Sequence, residues 1–173
     1  MLQFPDGSLT ALHRALAHDR SPAEAAVLAR RLGFESGAGF YEALRGGTDG
    51  RDVADESADD FWERLGDFFA TTGWGELRFE RVHPAVASLS SSSWAEAEPA
   101  ADAQQPSCHF TTGMLADLLG RVAGADLAVL EVECRSRGDQ QCRFLLGGTA
   151  ALQRIHAALA EGTTFEAAIE DLG

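Results

Sequence analysis

Apolar positions along this chain keep helical spacing in some blocks and strand spacing in others. The first helix is announced by Ser21 as cap, Pro22 at the first helical position and Glu24 three residues after the cap, ahead of Ala25, Ala26, Val27 and Leu28. Gly33 is expected to end it. A second helical segment over 39–44 holds Phe40, Tyr41 and Leu44 and breaks at Gly46-Gly47. The polar stretch 48–56 then reads as a loop. Ser57 caps the next helix, in which Phe61, Leu65, Phe68 and Phe69 mark one buried face.

Past Gly73 the period shortens. Leu77, Phe79 and Val82 predict a strand, with residues 85–94 as its hairpin partner, although the serines at 90–93 have weak strand chemistry and suit an edge or a loop. Pro84 sits at the turn between them. Residues 95–107, rich in Ala, Glu, Gln and Pro, read as a connection. After Cys108 comes a helix with Leu115, Leu118, Leu119 and Val122 on one stripe, where Gly113 and Ala116 let another element approach closely. Strands follow over 126–134 and 141–146, joined by a polar turn at Gly138-Asp139. A helix over 149–160 carries Leu152, Ile155, His156 and Leu159, with His156 read as a partly buried packing residue. Thr163 and Glu166 form the capping box of a short last helix. The elements make an α+β domain: an antiparallel sheet of about four strands with helices packed on one side.

Composition narrows the function classes. At 173 residues and 45% hydrophobic, the chain is sized for one domain with its own core. Fourteen basic against 27 acidic residues leave a formal charge of −13, which repels phosphate backbones and argues against nucleic-acid binding. No apolar run is long enough to span a bilayer, and no signal-peptide pattern is present, so a cytoplasmic setting is expected. Neither a basic recognition helix nor a Gly-rich phosphate loop ending in Lys-Ser or Lys-Thr occurs.

All three cysteines lie between Cys108 and Phe144. Glu131, Cys134 and Cys142 read E-x2-C-x7-C, with Cys108 upstream at a helix start. Three thiolates and a carboxylate suit a tetrahedral soft divalent cation. A hairpin disulfide between Cys134 and Cys142, or three ordinary buried thiols, fits the same spacing. Residues three apart on a regular strand face opposite ways, so Glu131 and Cys134 reach one ion only if the strand is irregular near Glu133. Glu133 is the rival carboxylate and His109 the rival nitrogen ligand.

The run Cys108-His109-Phe110, then Leu118-Leu119-Gly120, then 129–134 as Val-Leu-Glu-Val-Glu-Cys, then Gly138-Asp139 and Cys142-Arg143-Phe144, resembles the 4-vinyl reductase domain family, also called hydrocarbon-binding domains. The resemblance is specific over roughly 106–147 and looser through Leu32-Gly33-Phe34 and Gly37-Ala38-Gly39. It implies a fold like that of vesicle-tethering transport-particle subunits, and likeness to the sensor domains of bacterial activators that respond to aromatic compounds. It also implies structural zinc on Cys108, Glu131, Cys134 and Cys142, and a homodimer formed through helices. On this reading one domain covers 1–173, with 1–20 a loose or dimer-contacting segment.

The function expected is a zinc-stabilised, sensor-like domain that takes a hydrophobic or aromatic small molecule and signals through a dimer or a protein partner. Residue type and rough position nominate Phe40, Tyr41, Phe68, Trp74, His83, Trp94 and Phe110 for the ligand pocket. The alternatives are an accessory protein or enzyme in tetrapyrrole vinyl reduction, as the family name implies, and a plain interaction module. The residues point away from catalysis: no dinucleotide fingerprint, flavin site or nucleophile arrangement is present, so no catalytic residue is assigned.

Overall fold

Both serine caps act as read, and Gly33 between them does not. The computed structural model describes residues 8–46 and 56–173. After helix α1 (Ser8–Ala17), the Ser21 hydroxyl accepts from the Glu24 N–H and the Glu24 carboxylate accepts from the Ser21 N–H, opening α2 (Pro22–Arg45). α2 does not stop at Gly33 but runs for 24 residues, absorbing the expected second segment, and ends at Arg45 ahead of Gly46. The reason is a crossing. A Cβ at Gly33 would collide with the carbonyl oxygen of Phe110, and one at Gly113 with that of Arg30, so α2 and α4 (His109–Ala123) touch backbone to backbone there. These glycines are contact surface, and the packing they permit outweighs a propensity cost of about 1 kcal/mol each. The loop expected over 48–56 falls outside the described residues except for Glu56. Ser57 caps α3 (Ala58–Thr71), which buries Phe61, Leu65 and Phe69 and leaves Phe68 half-buried.

The sheet has four antiparallel strands, β1 (Arg78–His83), β2 (Val86–Ser91), β3 (Ala128–Glu133) and β4 (Cys142–Gly147), in the order β1-β2-β4-β3. β2 is an interior strand despite its serines. Ser88 is buried with its hydroxyl accepting from Arg143, and Ser91 accepts from the Ser93 N–H, so hydroxyls meet donors where apolar side chains were expected.

Strand alternation divides the core in two. Leu89, Phe144 and Leu146 join the cluster formed with α1 to α4, whereas Val86, Val132 and Leu145 meet Leu152 and Ile155 of α5 (Thr149–Ala160) and Ala168 and Ile169 of α6 (Phe165–Glu170). The α+β class and the antiparallel sheet of four strands stand, and the layer of helices expected on one side is joined by a second, smaller layer on the reverse face. Two local readings change. His156 is exposed on α5, because the inward stripe closes with Leu152 and Ile155, and α6 is capped by Thr164, whose hydroxyl accepts from the Ala167 N–H, in place of Thr163. Among the described residues no helix is long and apolar enough to cross a membrane.

Candidate metal centre and apolar cleft

The irregularity expected near Glu133 is present: the β3–β4 register shifts between Glu131 and Glu133. That extra residue turns Cys134 to the face that Glu131 already occupies. A short 3-10 turn, Arg135–Arg137, then leads to Gly138, whose φ of 98° is a backbone state that suits glycine. Asp139 fixes the turn. Its Oδ2 accepts from the Cys134 N–H at 2.7 Å and from the Arg137 guanidinium, which also donates to the Val132 carbonyl.

The hairpin neck and the start of α4 converge. Cys108, Glu131, Cys134 and Cys142 are all buried, and one potential ligand atom from each lies within 4.8 Å of the others. Cys108 Sγ stands 3.9 Å from Cys134 Sγ and 3.8 Å from Cys142 Sγ, and all three thiols are free, which removes the disulfide reading. A tetrahedral ion with metal–sulfur bonds of about 2.3 Å requires sulfur–sulfur edges of about 3.8 Å. Glu131 Oε2 accepts from the Cys108 N–H at 2.8 Å, while its Oε1 is buried without a partner, leaving one carboxylate oxygen for an ion. The donor set therefore fits a soft divalent metal. Glu133 is engaged elsewhere, with Arg143 at 2.6 Å and Gln141 at 2.9 Å, and His109 faces a neighbouring cleft.

Burial and mutual contact shift the ionisation of the cluster's own groups. Burial, reinforced by the charge on Cys134, pushes the Glu131 carboxyl up to about 9. Hydrogen bonds from Cys108 and Cys142 hold Cys134 far below the usual thiol range. Cys108 is driven upward by its contacts with Cys134 and Cys142 and by burial. Metal binding by such a donor set is coupled to loss of protons from its thiols and carboxyl.

A second buried polar group, not found from the sequence, braces the same helix start. Glu96, in the segment read as a connection, is 3% exposed and accepts from the Phe110 N–H at 2.9 Å and the Thr111 N–H at 2.7 Å. The Thr111 hydroxyl bonds Glu96 as well and accepts from the Trp94 indole at 2.8 Å. His13 of α1 approaches Glu96 to 3.0 Å, and this contact raises the His13 pKa above 6.5. Stability from the pair is fully present below pH 6.5 and fades as the pH rises through the higher folded value. The melting temperature is therefore expected to fall above that point, and a His13→Phe chain to show a flatter profile in a pH-resolved thermal scan.

The nominated pocket residues separate into groups. Phe40, Phe68, Trp74, Trp94 and Phe110 pack into one aromatic core, with Trp74 stacked on Phe110 at 6.0 Å between ring centres and Phe40 edge-on to Trp74 at 5.5 Å. Tyr41 is half-buried on α2 with the Arg45 guanidinium over its ring. His83 instead lines an apolar cleft of about 570 Å³ between α3, the end of α4 and the sheet. Its walls include Phe61, Trp62, Phe79, Leu119, Val122 and Leu146, and the Trp62 and Phe79 rings stack at 3.9 Å. Neither is among the nominated pocket residues: Trp62 stands off the buried stripe of α3, and Phe79 reads from the sequence only as a strand position.

The sheet with helices on both faces, and the buried thiol–carboxylate cluster, define an α+β domain in which a hairpin neck meets a helix start. Residues 92–147 match the family model of the 4-vinyl reductase domain, which bears out the resemblance read from Cys108 to Phe144. The phenol-responsive sensory domain of the transcription activator PoxR, solved with phenol, superposes with a TM-score of 0.69 at 19% identity, covering 92% of this chain and 82% of that one. Trafficking protein particle complex subunit 3 from Naegleria fowleri, solved covalently bound to palmitic acid, superposes with a TM-score of 0.65 at 13% identity, covering 81% and 90%. No curated protein matches the chain.

Proposed function

We propose that this chain is a small-molecule-binding, sensor-like domain that takes a hydrophobic or aromatic guest, is held in shape by one structural zinc, and signals through a dimer or a protein partner. The apolar cleft carries the reading. Its volume of about 570 Å³ is that of a drug-sized guest, and its aromatic and aliphatic walls are backed by the continuous hydrophobic core. His83 supplies a polar group at the lining. The likeness in fold to the PoxR sensory domain supports the same class of activity.

Zinc is the metal of choice for three thiolates and one carboxylate, and four protein ligands leave no open position for a substrate. Its role is to fix α4 against the β3–β4 hairpin. Cys108, Glu131, Cys134 and Cys142 would hold the ion, and Asp139 and Arg137 orient Cys134 from behind.

Native mass spectrometry of the purified chain is expected to show a retained apolar guest, or a saturable shift in tryptophan emission on adding toluene or naphthalene. Val122→Glu, which puts a charge on the cleft wall, is expected to abolish both while leaving the metal content unchanged. Guest binding that survives Val122→Glu at full affinity would overturn the assignment of this cleft.

A further inference from the structure

We propose that the cleft beside β3 is a second small-molecule site, one that takes an organic monocarboxylate with an apolar body. It measures about 620 Å³ and shares no lining residue with the apolar cleft. Basic groups reach its lining from four separate segments: Arg30 of α2, His109 of α4, Arg137 of the turn after β3, and His156 of α5. In a chain with a formal charge of −13, the two guanidiniums of Arg30 and Arg137 run against the overall balance, and the two imidazoles add hydrogen-bonding nitrogens beside them. Glu131 is the one acidic residue in the lining, and its Oε2 is turned onto the Cys108 N–H.

The charges specify the guest. Arg137 already shares its charge with Asp139 at 2.7 Å. Arg30, by contrast, donates through Nε to the Thr112 hydroxyl at 3.3 Å and forms no ion pair with the described carboxylates, whereas its neighbour Arg31 pairs with Glu35. One uncompensated guanidinium matches one negative charge, and its planar fork fits a carboxylate in two-point contact. Thr112 and Gln105 add neutral polar groups, while Val129, Leu130, Val132 and Leu159 give the cleft walls for an apolar body. The site stands independently of the apolar guest proposed above.

Titration of the zinc-loaded full chain with sodium benzoate and sodium octanoate, followed by calorimetry and amide NMR, tests this. Saturable binding is expected, with shifts centred on Leu130, Val132 and Leu159. Affinity is expected to be roughly tenfold or more weaker for benzyl alcohol, which keeps the body and loses the charge, and for Arg30→Gln. Arg30 is exposed, so the variant should keep the parent melting curve; should that curve change, His156→Gln on the exposed side of α5 reads the same cleft with a several-fold loss. Equal affinity in parent and variants, shifts centred on Trp62 and Phe79, or preference for inorganic phosphate over both carboxylates would each overturn the proposal.

Discussion

A Cys108→Ser chain is expected to lose stoichiometric zinc and to melt roughly 6 to 20 °C below the parent. Removing one member of a buried charged cluster costs about 3–5 kcal/mol, since the remaining groups stay desolvated without their partner. In a domain of this size each kcal/mol moves the midpoint by about 2–4 °C. Chelator treatment of the parent chain should reproduce most of the shift, because an ion held by the folded cluster would add stability only while it is bound. Cys142→Ser should behave as Cys108→Ser does, since the two thiols stand 3.8 Å apart around the same point. Asp139→Asn is expected to fall between these extremes: it keeps a group near the Cys134 N–H and weakens metal affinity by roughly 10–100-fold, as loss of an orienting partner does. Metal analysis beside thermal scans reads all of these. Parent protein that carries no stoichiometric zinc, with a melting curve indifferent to chelator, would sink the metal assignment.

Gly113→Ala is the second large effect, expected to cost about 3 kcal/mol or more and to lower the midpoint by roughly 6 to 12 °C. The added methyl would run into the Arg30 carbonyl oxygen, a backbone atom of the facing helix that cannot swing away. Gly33→Ala meets the Phe110 carbonyl and should match it. Gly39→Ala provides the contrast: it lies on the same helix α2 with open space around its Cβ, so it should be neutral or stabilising by about 0.5–1 kcal/mol. Thermal scans of the three variants decide the matter. If Gly33 and Gly113 tolerate alanine as readily as Gly39 does, the backbone contact between α2 and α4 is not what holds the crossing.

Local signals were readable where the chemistry is local. The Ser21, Pro22 and Glu24 cap depends on atoms within one turn, and the sequence names all of them. The shift between Glu131 and Glu133 was legible for a different reason: two ligands three residues apart cannot share a face unless the strand gains a residue. What the sequence hid depends on partners far along the chain. Gly33 has the composition of a helix stop, and its actual task is set by Phe110, which nothing near residue 33 announces. Glu96 stands in an Ala, Glu and Pro stretch that reads as solvated, yet it closes the first turn of α4 and is buried there. The serines of β2 looked too polar for an interior strand because Arg143, the donor that satisfies Ser88, lies 55 residues away. Aromatic type alone does not tell a ring enclosed by the core, such as Trp74 or Trp94, from one that also borders the apolar cleft, such as Trp62 or Phe79.

The seating of the three thiols has a consequence for assembly. Cys134 and Cys142 belong to one hairpin and meet early, whereas Cys108 must arrive from 34 residues upstream of Cys142, carrying the first turn of its helix with it. Glu131 lines both this thiol cluster and the basic cleft, so on the proposed metal reading a chain that folds while starved of the ion would leave both unfinished at once. Under that proposal, metal supply and readiness to receive a guest would be a single variable, set when the polypeptide is made.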